Sequence, residues 1–227
     1  MTIDLSPLII SLRTATLSII VTFFLGVAAA QLVYRLKSKT MKTILDGLFT
    51  LPLVLPPTVA GFFLLLIFSL RRPFGKLLLE SFDFKVIQTW KGCVIAAAVI
   101  AFPLMYRNAR AAFEQVDVNL IYAGQTLGMS DRRIFWKVIV PAAAPGIASG
   151  TVLAFARAIG EYGATSMLAG NILGKTRTVS VAIAAETAAG NYNVAGFWVV
   201  VIVLISFVIV ALINIVSGRG MKSRRWI

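Results

Sequence analysis

Apolar residues in this chain come in long unbroken blocks, not in the 2- or 3.6-residue alternation of a half-buried strand or surface helix. A block of roughly 18 or more apolar residues reads as a membrane-spanning helix, because about 20 residues at ~1.5 Å rise cross a ~30 Å hydrocarbon core. Five spans are expected, at about residues 8–34, within 47–70, at 92–106, 142–168 and 196–216. The prediction is an all-α, polytopic helical bundle that forms a single transmembrane domain over residues 1–227, with no internal repeat, heptad or low-complexity segment.

Composition agrees. Hydrophobic residues make up 59% of the chain and the mean hydropathy is +0.88, against about 45–50% apolar in soluble domains. The single cysteine, Cys93, excludes a disulfide within the chain, and the absence of histidine excludes a Cys/His zinc site and a serine–histidine triad. No metal site and no catalytic residues are expected. The N-terminus lacks a basic leader and the first apolar stretch is too long for a cleaved signal, so it reads as a retained span.

The net charge of +13 fits headgroup and cytoplasmic-loop placement, with membrane lipid and not nucleic acid as the partner. With the N-terminus outside, inner segments carry 13 basic residues, among them Arg35, Lys42, Arg107, Arg110, Arg132, Lys137, Arg219, Lys222, Arg224 and Arg225, and outer segments carry 7. Arg13 and Arg157 lie within spans. The bias predicts an N-out, C-in chain. The outer loop from Arg71 to Lys91 is itself basic, which suits either headgroup anchoring or attraction of an anionic substrate or acidic partner.

Two spans depart from plain hydrophobic anchors. In the second, Pro52, Pro56 and Pro57 crowd into six residues, and proline removes a backbone donor and clashes with the preceding turn. Either the span starts at Pro57 with the upstream segment at the interface, or a break places a helix N-terminus and Thr58 beside a polar pathway. In the fourth, Ala142, Gly146, Gly150, Ala154 and Ala158 recur every four residues. Such a stripe lets helix backbones approach closely in lipid, against another span or a second copy of the chain. Arg157 and Glu161, four apart, are expected to meet beside it in the outer half of the membrane. Because an ionised side chain facing lipid is costly, the pair must face protein or water. It reads either as a neutralised structural pair or as part of a pathway or outer gate.

Between the third and fourth spans, at about residues 110–141, Asp117 or Asn119 can cap a short helix near residues 120–127, with Gly128 at a left-handed C′ position. Ser130 can cap a second helix that ends at Pro141, where the fourth span begins. This cytoplasmic helix–turn–helix is tethered to the membrane at both ends, so its natural partner is a cytoplasmic protein.

These residues carry a resemblance. Tyr122-Ala123-Gly124, Gly128, Val138, Val140 and Pro141 fall at the spacings of the E-A-A, three residues, G, nine residues, I-x-L-P loop of ATP-binding cassette importer permeases. Tyr122 stands for the usual acid and Gly124 for the second alanine. The run Phe155-Ala156-Arg157-Ala158-Ile159-Gly160-Glu161-Tyr162-Gly163-Ala164, the segment from Leu51 to Gly61, and Gly170-Asn171-Ile172 with Gly174-Lys175-Thr176 resemble oxyanion permeases of the molybdate and sulfate type, the last run and the chain length more the molybdate ones.

The resemblance implies a type I importer permease fold in the cytoplasmic (inner) membrane of a prokaryote. It implies that Tyr122, Ala123, Gly124, Thr126, Leu127, Gly128, Met129 and Pro141 form the loop that couples to a separate ATPase dimer, which uses ATP and Mg. It further implies a homodimer and an extracytoplasmic molybdate-binding protein. The chain itself has no Gly-x-x-x-x-Gly-Lys-Ser/Thr loop and is expected to bind no cofactor and hydrolyse no ATP. Candidate pathway or gate residues are Pro56, Pro57, Thr58, Arg157 and Glu161. The rival substrates are sulfate, thiosulfate and tungstate; a membrane-embedded enzyme or an inert scaffold would leave the loop spacing unexplained.

Overall fold

A computed structural model describes residues 4–222, with side chains through residue 211. The basic side chains Arg219, Lys222, Arg224 and Arg225 at the C-terminus therefore lie outside the described ones. The described helices are α1 (Ser6–Arg35), α2 (Lys39–Val54), α3 (Pro57–Phe68), α4 (Pro73–Phe82), α5 (Trp90–Glu114), α6 (Val118–Thr126), α7 (Asp131–Ile134), α8 (Val140–Ile159), α9 (Gly163–Leu168), α10 (Val179–Ala188) and α11 (Tyr192–Lys222).

The chain is turned inside out relative to a soluble bundle. On α1 the buried face is small or weakly polar (Ser11, Thr14, Ala15, Ser18, Thr22, Gly26, Ala29, Ala30), while Ile9, Phe24, Leu25 and Leu32 point outward. Without a hydrophobic force between helices in lipid, close backbone approach and hydrogen bonds hold the bundle. Ser18 Oγ donates to the Val94 carbonyl at 3.0 Å and Thr22 Oγ1 to the Ala98 carbonyl at 3.3 Å, fastening α1 to α5.

These contacts also fix direction. Position 18 meets 94, 22 meets 98, and Tyr34 packs on Phe113, so α1 and α5 run parallel. The chain must therefore return from the inner end of α1 to the outer end of α5 between residues 35 and 90. Helices α2 and α3, bent by 108° at their junction, make that return together as one broken span. In its inner half, Phe49 of α2 packs edge-to-face with Phe102 and Tyr106 of α5. In its outer half, Ala60 and Leu64 of α3 pack with Ala96 and Ile100 of α5 and with Ala164 and Leu168. This reconciles the two readings of the prolines. Pro52 is carried inside α2, the turn falls at Leu55 and Pro56, and Pro57 opens α3, where its missing donor is harmless.

The third span is longer than the apolar block, running on through Tyr106 to Glu114, and the fifth, Tyr192–Lys222, begins before residue 196 and passes residue 216. The fourth span differs most from expectation. Asp131–Ile159 is one continuous helix of 29 residues, so the second loop helix does not stop at Pro141. The reason is a π turn at Phe135–Ile139, where the Val140 N–H reaches back five residues to the Phe135 carbonyl. In an α-helix the Pro141 ring would clash with the carbonyl four residues earlier; the wider turn admits it. At the other end the helix stops at Ile159, not Leu168. The chain breaks at Gly160–Tyr162 and restarts as α9.

The middle of the small-residue stripe on α8, at Gly146 and Gly150, is filled by the chain's own α5, while Ala142 is exposed. A Cβ on Gly146 would stand 2.7 Å from Ala112 Cβ, and one on Gly150 would stand 2.5 Å from Asn108 Cβ. That part of the face is therefore not free for a second copy. Gly150→Leu is expected to cost roughly 1–3 kcal/mol by overpacking, read as a lower thermal midpoint of the purified chain in detergent. Gly47→Ala, in α2 with nothing within 4 Å of the added Cβ, should leave the midpoint unchanged or raise it, by about 0.5–1 kcal/mol.

Candidate functional site

The break after α8 brings the candidate pathway residues together. Arg157, in the last turn of α8, places Nη1 2.7 Å from Glu161 Oε2, so the expected ion pair forms. Its halves are unequally covered: the Glu161 side chain is 1% exposed and that of Arg157 31%. Glu161 Oε1 accepts a hydrogen bond from the Ala164 N–H at 2.8 Å, so one carboxylate both neutralises the arginine and satisfies an amide in the first turn of α9.

Directly against this turn lies the start of α3. A Cβ on Gly163 would stand 3.0 Å from Pro57 Cβ and 3.1 Å from the Thr58 nitrogen, and one on Gly61 would stand 2.7 Å from Ala164 Cα. Pro56, Pro57 and Thr58 on one side and Arg157 and Glu161 on the other thus flank a single junction between two interrupted spans. Pro56 and Thr58 are exposed on the isolated chain, and Pro57 is half-buried. Irregular backbone at membrane depth is tolerated where protein covers it or a wet path runs beside it. The junction leaves the Arg157 guanidinium partly open and Thr58 exposed.

At the inner face, Asp117 caps α6 by accepting from the Asn119 N–H at 2.9 Å. The helix ends as expected in a left-handed Gly128, φ +70°. The Met129 N–H bonds to the Gly124 carbonyl at 3.0 Å and the Gly128 N–H to the Gln125 carbonyl at 2.9 Å, the paired bonds of a Schellman turn. Gly124 is buried, and a Cβ there would stand 3.0 Å from Ile134 Cγ1 and 3.7 Å from Met129 Sδ. The glycine at this position therefore matches a tight seat of α6 on the long helix. Ser130 occupies the N-cap position of α7, but its side chain makes no capping hydrogen bond. Val118, Leu120, Tyr122 and Leu127 leave an apolar outer surface, with Leu127 79% exposed. Ala123 and Thr126 are exposed beside them, while Pro141 lies in the helix and not at its start.

Two polar clusters escaped the sequence reading. Asp46 of α2 accepts from Tyr106 Oη at 2.9 Å and pairs with Arg110 Nη1 at 2.5 Å, while Arg110 Nε donates to Glu114 at 2.9 Å. This ties the inner half of the broken span to α5. The available signal was that Asp46 is the sole acid between Asp4 and Glu80. On the outer side, Arg177 donates to Asn171 and Glu186, both at 2.8 Å, and Asn191 donates to Glu186 at 2.9 Å. Hydrogen bonds from Asn191 and Arg177 hold the Glu186 carboxyl below its ordinary range. Its contribution is present at neutral pH and fades as pH falls through that lowered pKa.

A five-crossing bundle with a membrane-tethered inner helix and two interrupted spans meeting at a buried ion pair is a transport permease, a membrane subunit and not itself an enzyme. The chain belongs to the family described as binding-protein-dependent transport system inner membrane component, whose pattern matches residues 22–219. Relatives include the Bacillus subtilis (strain 168) protein YvgM, named for a molybdenum transport system permease, 42% identical over 92% of each chain. The Escherichia coli (strain K12) molybdenum transport system permease protein ModB is 42% identical over 77% of this chain and 76% of its own. The sulfate transport system permease protein CysT of Salmonella typhimurium is 35% identical over 78% of this chain and 64% of its own. The fold matches a chain of the MetNI methionine ABC transporter in an inward-facing conformation, with a TM-score of 0.74 over 96% of each chain at 16% identity. It is a type I importer permease fold, and the chain is an inner-membrane protein.

Arg157→Met, which strands the buried Glu161 without its cation, is expected to destabilise the chain by about 3 kcal/mol, seen as loss of folded protein in detergent. The double variant Arg157→Met, Glu161→Gln keeps an acceptor for Ala164 and should recover most of that loss. Failure of the double variant to recover would show that the pair is not the source.

Proposed function

We propose that this chain is the translocating subunit of a molybdate importer, working as a homodimer with a cytoplasmic ATPase dimer and an external molybdate-binding protein. The observation that carries the proposal is mechanical. Helix α6 keeps its apolar outer surface exposed and is seated through Gly124 against Ile134 of a continuous helix, and the far end of that helix carries Arg157. At ~1.5 Å per residue such a helix is roughly 40 Å long. A push on α6 from a docked ATPase would therefore reach the junction of Pro57, Thr58, Arg157 and Glu161 with little loss in loops.

The substrate assignment is supported by the two relatives named for molybdenum transport, at 42% identity, against 35% for the one named for sulfate. The chemistry is consistent with a transient route. Arg157 is already neutralised by Glu161, so a tetrahedral dianion meets a partly open guanidinium and is not held tightly. Tight capture then falls to the external binding protein. ATP binding draws the ATPase subunits and both α6 helices together, and the spans rock to open outward; release of ATP and Mg reverses the motion.

Two experiments test this. In the reconstituted complex with its binding protein, molybdate should change ATPase activity at concentrations where sulfate has no effect; an equal or larger response to sulfate would move the substrate to sulfate while keeping the mechanism. Gly128→Pro, incompatible with φ +70°, and Ala123→Arg, at an exposed position of α6, should abolish ATP-driven uptake while the permease remains in the membrane at normal levels. Normal uptake by both variants would overturn the assignment of α6 as the coupling element.

A further inference from the structure

Helix α4 belongs to neither the junction nor the inner helix, yet it is the most clearly two-faced helix of the chain. Along Pro73–Phe82, Phe74, Leu77 and Ser81 share one side, Lys76 and Glu80 lie on another, and Phe82 stands exposed at the helix end, above the Gly75 side. Phe74, Leu77 and Phe82 are 48%, 55% and 74% exposed. The first turn is taken up by packing: Gly75 is buried against the Phe68 and Ser69 carbonyls, and the Phe74 ring lies tilted on Phe68 at 5.7 Å. The helix is thus held at a fixed height by its first turn, while Leu77, Ser81 and Phe82 remain exposed.

That height is the outer membrane surface. α4 follows directly on the outer end of α3 and precedes the outer end of α5, where Arg13 lies over the Trp90 ring at 4.1 Å and Lys91 over the Phe84 ring at 4.3 Å. Tryptophan with flanking cations marks the headgroup layer. At that level an exposed apolar helix face meets acyl chains. The charges fit the same surface. Residues 71–91 hold Arg71, Arg72, Lys76, Lys85 and Lys91 against Glu80 and Asp83. Lys76 pairs with Glu80 at 3.6 Å, and no ion pair engages Arg71, Arg72 or Lys85 among the described residues.

We infer that α4 lies in the outer leaflet as an interfacial helix whose apolar side enters the acyl boundary and whose Arg71, Arg72 and Lys85 bind anionic phospholipid headgroups. The basic outer loop, for which headgroup anchoring and attraction of a soluble anion or acidic partner were both open, is thereby assigned to lipid.

The test places an environment-sensitive fluorophore at Ser81→Cys in the full chain with Cys93→Ala, reconstituted in vesicles containing a nitroxide lipid labelled near the glycerol. One set of vesicles carries the nitroxide on phosphatidylcholine and the other on phosphatidylglycerol, each as a minor fraction of the same equal mixture of the two lipids. Quenching in both, stronger by about twofold or more with phosphatidylglycerol, is expected. Arg71→Gln with Arg72→Gln, at two exposed positions, should abolish the lipid-type difference while the amount of reconstituted protein stays the same. Absence of quenching overturns the inference, as does equal quenching in the two lipids. So does a probe that responds only when the external binding protein is added, which would give this face to that partner instead.

Discussion

A carboxylate in hydrocarbon has no water to turn to, and the position of Glu161 constrains much of what surrounds it. The chain breaks its fourth span at Gly160, and the carboxylate satisfies two demands at once: the guanidinium of Arg157 and the amide of Ala164. The same break lets α9 sit against Pro57 and Thr58 at the start of α3, so the two interruptions lie side by side, with Pro56 and Thr58 still exposed on the isolated chain. Irregular backbone of this kind at membrane depth calls for protein or a wet path beside it.

The rest of the bundle keeps this junction in register. Small residues let α8 press on α5 at Gly146 and Gly150, and hydroxyls on α1 reach carbonyls of α5. Asp46, Tyr106 and Arg110 fasten the inner half of the broken span to the same central helix. Helix α5 is therefore the frame, and the continuous helix from Asp131 to Ile159 crosses it with α6 seated near one end and the ion pair at the other. One continuous helix between an exposed cytoplasmic surface and a polar break in the outer half of the membrane is the physical basis for reading the fold as a machine and not only as an anchor.

Much of this was legible in the sequence because it depends on local rules. Block length located the five crossings, four-residue spacing put Arg157 beside Glu161, and Gly128 marked a left-handed helix end. What was hidden depended on partners far away in the chain or on backbone detail. The stripe could be seen, but its occupant could not, since small residues suit α5 and a second copy equally. Pro141 reads as a helix boundary, and only the π turn before it shows why the helix runs through. The apolar run continues to Leu168, which masks the stop at Gly160. Asp46 and Arg110 are distant in sequence and obey no shared period, so their pairing had no signature beyond the rarity of acids in that stretch.

The most direct test of the central claim, that the meeting of the two interrupted spans lines the route, is the accessibility of Thr58→Cys in a Cys93→Ala chain. A membrane-impermeant thiol reagent is applied from each side of the reconstituted complex, with and without ATP. The account predicts labelling whose side of access changes with nucleotide. A position 58 that stays unlabelled from both sides in every nucleotide state, in a complex that still transports, would contradict it.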